Sequence, residues 1–129
     1  MGEIINTIAG LRGLSHGKGA SQEAISEAGK RLGLSFADDY QEYLKKYGVL
    51  SARHIELSGI IDAVRLNVAD VTEALRKDRE IPDDMYVIED TAIEGIFILQ
   101  NKAGEIYESQ KDRGIKKIYS SLSDYIGSK

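Results

Sequence analysis

Apolar side chains recur along the first third of the chain at helical spacing. Ile4, Ile5, Ile8 and Leu11 form one short stripe. Ala24, Ile25, Ala28 and Leu32 form a second, with Ser21 placed as N-cap, Glu23 in the first turn and Gly33 as the stop. Phe36, Tyr40, Tyr43, Leu44 and Tyr47 form a third. It is closed by Gly48 and opened by Ser35 with Asp38 three residues on, a capping-box pattern with Asp in the usual Glu/Gln place. Between the first two stripes, Gly13, Gly17 and Gly19 read as a flexible connection, so residues 1–20 are expected to be an N-terminal helix and a glycine-rich link.

The period then shortens. His54-Ile-Glu-Leu57 alternates like a strand with one wet face, ending at Gly59. Val68, Val71, Thr72 and Leu75 return to helical spacing before Pro82-Asp83-Asp84 punctuates. Met85–Asp90 and Ile96–Gln100 read as strands, and Asn101–Gly104 as the turn of a hairpin into Glu105–Glu108. Ile96–Leu99 is apolar throughout, which predicts a central strand covered on both faces. Ile115–Tyr119 reads as an edge strand, and Ser121 with Asp124 caps a last helix carrying Leu122, Tyr125 and Ile126. The fold class is α+β: N-terminal helices packed on a mostly antiparallel sheet, with an inserted helix and a C-terminal helix, in a single domain over 1–129.

Composition narrows the chemistry. With no Cys, no Trp and two His, the sequence has nothing for a disulfide, a Cys-ligated metal or a Cys nucleophile, and little for a His-based site. No apolar run reaches the length of a membrane span, and the expected location is the cytoplasm. A net charge of −4 argues against non-specific nucleic-acid or membrane binding. Gly13–Lys18 lacks the first glycine and the final hydroxyl of a phosphate loop. His16 and His54 have no ligand-spaced partner, and the tyrosine stripe fits core packing better than a base-stacking platform. Asp38/Asp39 suit a helix first turn, and Glu89 and Asp90 point to opposite faces of a regular strand, so paired-carboxylate catalysis is the weaker reading. The cluster Lys111, Arg113, Lys116 and Lys117 reads as a solvated loop or a balance for acids elsewhere. From Glu80 to Glu94 there are six acids and no base, which reads as an acidic recognition surface.

The order of signals resembles a known family. Ile25, Leu32-Gly33, Phe36, Asp39-Tyr40, Tyr43-Leu44 and Tyr47-Gly48 are spaced as in the helical signature of the SUKH superfamily, the Smi/Knr-like fold. Ile81-Pro82, Val87-Ile88-Glu89, Gly104-Glu-Ile-Tyr107 and Ser120-Ser-Leu122 with Tyr125 continue it, with departures at Gly29, Ala37, Val49 and Glu94-Gly95. The resemblance implies an α+β binding domain without catalysis or cofactor, found in bacteria mainly as an immunity protein that neutralises a cognate toxin. Eukaryotic relatives imply an alternative, a regulatory module of cell-wall assembly that recognises a host protein or small ligand. A basic toxin or effector domain is then the expected partner. The expected contacts are Asp83, Asp84, Glu89, Asp90 and Glu94, with Tyr86 as an aromatic anchor. A hydrolase using these carboxylates is the third reading, and it requires a cleft beside Glu89–Glu94.

Overall fold

Ser21 starts the second helix as its position in the sequence predicts: its Oγ accepts the Ala24 amide at 3.1 Å. In the computed structural model, which describes residues 3–129, α1 spans Glu3–Ala9 and α2 spans Gln22–Leu32. Gly33 closes α2 in the left-handed region, at φ 71°. α3, Asp38–Tyr47, starts differently from expectation. Its N-cap is Ala37, which supplies no side-chain bond, and Ser35 forms no box with Asp38. Phe36 and Ala37 are buried. The Ala37 amide donates instead to the Tyr86 hydroxyl at 2.9 Å, so a distant strand sets where this helix begins.

The glycine-rich segment is not a flexible link. Ser15–His16 is a strand, β1, paired antiparallel with β2, Leu50–Ala52, which pairs in turn with β3, Ile55–Leu57. The Gly17 amide donates to Val49 O at 3.0 Å and the Ala20 amide to Leu44 O at 2.8 Å. A Cβ on Gly19 would lie 1.9 Å from Lys45 O, so glycine here admits backbone against backbone. His54 falls in the β2–β3 turn at φ 74°, not on the strand.

A short 3-10 turn, Val64–Leu66, leads into α4, Val68–Asp78, whose first amides are capped by the Asn67 side chain. Then come β4, Tyr86–Asp90; β5, Ile96–Gln100; β6, Ile106–Gln110; and β7, Gly114–Tyr119. They form an antiparallel sheet in chain order, and α5, Leu122–Gly127, follows with Ser121 as its cap. The architecture is α+β, with two antiparallel sheets of three and four strands where one was expected. The sheets meet where the Ser58 amide donates to Ile88 O at 2.8 Å.

β5 is covered on both faces, as its unbroken apolar run predicts. Ile98 joins Tyr86, Ile88 and Ile106 in the main core against α1, α2, α3 and α5, where Tyr40 and Tyr43 are also buried. Leu99 faces the other way with Val87, onto Leu75 of α4 and Met85, in a smaller second core. α4 leaves Phe97, Tyr107 and Ile115 of that second face half-buried.

Candidate functional site

The acidic run does not form one surface. Asp83 and Asp84 are exposed before β4, whereas Asp90 ends β4 and exposed Glu94 follows it. Five residues of strand, roughly 17 Å, separate the two pairs. Glu89 is buried at 6% exposure and Tyr86 at 0%, so neither reaches a partner's surface, and the reading of both as contacts is corrected. Tyr86 is held by the core: its hydroxyl donates to Gln100 Oε1 at 2.7 Å while accepting the Ala37 amide. β4 bulges at Ile88, which turns both Ile88 and Glu89 toward α5. Asp90 faces the α4 side.

Asp90 and Glu94 belong instead to a cluster of turns. The β4–β5 turn meets the β6–β7 turn where Gly95 O accepts the Lys111 amide at 3.1 Å and Arg79 Nη1 at 2.8 Å. His54 of the β2–β3 turn lines one hollow with Thr91 and Ile93, and Val64-Arg65 of the 3-10 turn line another with Asp90 and Glu94. Among the described residues, the non-glycine residues at positive φ are His54, Ala92 and Asp112, one each in the β2–β3, β4–β5 and β6–β7 turns. Local bonds hold the middle turn: Asp90 Oδ1 accepts the Ala92 amide at 2.9 Å and Thr91 Oγ1 donates to Ile96 O at 2.8 Å.

Two hollows flank that turn. On the α4 side a groove of about 400 Å³ has Val71, Ala74, Leu75 and Phe97 as the apolar part of its lining. Val64, 68% exposed, stands at its mouth. On the α5 side a recess of about 660 Å³ has Ile93, 63% exposed, on its wall and Glu89 at its base. Val64 and Ile93 are the exposed large apolar side chains among the described residues. Sequence reasoning passed over both. A large apolar residue inside a polar turn, Ile93 between Ala92 and Glu94, was the available signal.

The charges of the groove are mostly matched. Arg31 pairs with Asp70 at 2.5 Å and Glu73 at 2.7 Å, Arg65 with Glu56 at 3.0 Å, and Arg79 with Asp78 at 2.9 Å. Lys111 lies 3.8 Å from Asp78. Asp90 and Glu94 have no ion pair among the described residues. In the recess, Glu89 accepts the Tyr125 hydroxyl and, at 2.8 Å, the Glu56 amide. Burial raises its pKa above the ordinary range, and these two bonds pull against that rise. Glu108 flanks the same face across Ile98, and the Lys129 ammonium lies 4.6 Å from the centre of the Tyr125 ring. A cleft beside Glu89 therefore exists, and the carboxylate in it ties α5 to β3.

Among the described residues, no three His, Asp or Glu side chains gather closely enough to hold a metal ion, and no helix is long and apolar enough to cross a membrane. The chain matches SUKH_5, described as SMI1-KNR4 cell-wall, over residues 1–129. No curated protein matches it. The family resemblance carried by the helical signature and the α+β fold agree with this full-length match, and the chain belongs to the SMI1-KNR4 cell-wall family of SUKH domains.

Proposed function

We propose that this domain acts by covering part of a partner protein, and that the partner is a cognate toxin which it neutralises inside the producing cell. The observation that carries the reading is the turn end. Val64 and Ile93 stand exposed on the two sides of one bonded turn, each at the edge of a hollow. A standard interface takes roughly 800 Å² from each partner, which is about a ninth of this chain's 7082 Å². A few anchors near the centre supply most of the affinity in such an interface, and exposed apolar side chains around them exclude water. Charges set encounter rate and partner choice.

Cell survival tests the reading. Co-expressed with a toxin domain encoded beside its gene, the chain is expected to restore growth and to elute with the toxin as one complex. Val64→Asp with Ile93→Asp should abolish both while the circular dichroism stays unchanged. Full protection by that variant would reject the turn end, and lack of a complex with the wild-type chain would reject the immunity role.

The family's description favours a second reading, a regulatory binding module in cell-wall assembly. Deletion of the gene separates the two. An immunity role makes deletion lethal only when the toxin is present, whereas a regulatory role changes wall composition without it.

A further inference from the structure

The groove under α4 is apolar in part of its lining and unbalanced in its charge. Arg79 cannot swing out to correct this. It is bonded to Asp78, Gly95 O and Ser109 Oγ, and its guanidinium carbon lies 5.4 Å from the centre of the Phe97 ring. Arg65 is held by both oxygens of Glu56. The groove lining carries four carboxylates, Asp70, Asp78, Asp90 and Glu94, against Arg65, Arg79 and Lys111. Asp90, partly balanced by the field of Arg65, and Glu94 are the two acids of the lining in no ion pair among the described residues, beside Val71, Ala74, Leu75 and Phe97. The apolar part is already ordered, so little freedom remains to be lost when it is covered. Val64, 68% exposed, adds an apolar side chain to the same lining.

We propose that this groove seats a basic amphipathic segment of the protein partner, with one large apolar side chain on the apolar lining and lysine or arginine side chains on Asp90 and Glu94. The inference rests on the partner-binding reading and names the chemistry of its contact. An acidic segment would meet the net negative lining as like charge. A wholly apolar segment would bury Asp90 and Glu94 unpaired, which is costlier still. A helix laying one face in a groove meets both demands, because residues three and four apart share a face.

The probe is a synthetic amphipathic peptide of about a dozen residues, rich in Lys, Arg and Leu with one central Phe, titrated into the ¹⁵N-labelled full chain. Amide shifts are expected to centre on Val64, Val71, Ala74, Glu94 and Phe97. Replacing the basic residues of the peptide by Glu, or its Phe by Ser, should weaken binding about tenfold or more. Asp90→Asn with Glu94→Gln should weaken the basic peptide about tenfold and flatten its dependence on NaCl between about 50 and 300 mM. Shifts spread evenly over the surface, or equal binding of the Ser and Phe peptides, would overturn the proposal. So would unchanged affinity in the double variant. Ala74→Trp, which fills the groove from an exposed position of α4, separates the two readings in the toxin assay. Protection that survives Ala74→Trp and the double variant rejects the groove and keeps the immunity role. Peptide binding without any toxin complex keeps the groove and rejects that role.

Discussion

At Glu89, two donors offset part of the cost of burying a carboxylate: the Tyr125 hydroxyl and the Glu56 amide. Its carboxyl holds a proton to higher pH in the folded chain than the ordinary 4.5 of a free glutamate, because burial disfavours the charge. The folded state then binds more protons than the unfolded one as pH rises from about that value. The stability this contributes is complete below the unfolded pKa and is lost as pH rises through the raised folded one. Asp39, desolvated while bonded to the Leu122 amide and the Gln100 side chain, acts in the same direction. Glu89→Gln removes one of these titrations and leaves its neighbours Glu56, Tyr125, Lys129, His54 and Glu108 in place. The melting temperature of the variant relative to wild type should therefore rise as the pH is raised above the ordinary 4.5 of a free glutamate, and parallel curves would contradict the assignment. Tyr86 offers a second check. Tyr86→Phe leaves the buried Ala37 amide and Gln100 Oε1 short of a partner. It should lower stability by about 1–3 kcal/mol in thermal unfolding, yet leave partner affinity unchanged. A loss of binding without a loss of stability would return Tyr86 to the interface.

Helices α2 and α5 were legible because their signals are local: Ser21 and Ser121 cap them, and an apolar stripe repeats behind each cap. α3 was legible in its stripe and not in its start, since the Tyr86 hydroxyl that fixes Ala37 lies on another element. β1 and β2 were hidden for a related reason. Each is only two or three residues long, too short for a period of two to show, and each exists through pairing with its neighbour. Among the glycines that read as slack, Gly19 instead packs its backbone directly against that of Lys45. Gly19→Ala is therefore expected to destabilise by at least about 2 kcal/mol, seen as a lower urea midpoint with an unchanged slope, because its methyl group would overlap the Lys45 carbonyl. Gly33→Ala, at positive φ but facing open space, should cost only about 1 kcal/mol of backbone strain. Equal effects at the two positions would mean that residues 15–20 yield, and that β1 is the loose link its composition suggests.

Across the whole molecule, strand direction decides what a run of acids becomes. In sequence, Asp83 and Glu94 are near neighbours. In space β4 carries one pair to each end of the sheet and buries Glu89 between them. Apolar and polar alternation shows that Glu89 and Asp90 face apart, and they do line different hollows. It cannot show which end gathers other turns, because that depends on where β3, β7 and the 3-10 turn pack. Recognition by one acidic flank would make all four of these acids count alike. Recognition by the turn end makes only one pair count. Asp83→Lys with Asp84→Lys and Asp90→Lys with Glu94→Lys change net charge equally, by four units each, so the long-range field of the molecule shifts alike in both. The first pair should alter association with the partner only through that field, an effect that vanishes at high salt. The second should also raise the dissociation rate by about tenfold or more, and this loss should persist in high salt, because the lysines would sit against the partner's own basic residues. Surface plasmon resonance at two ionic strengths reads both rates. Equal dissociation rates for the two variants would show that the acids act at a distance and that the turn end is not the contact.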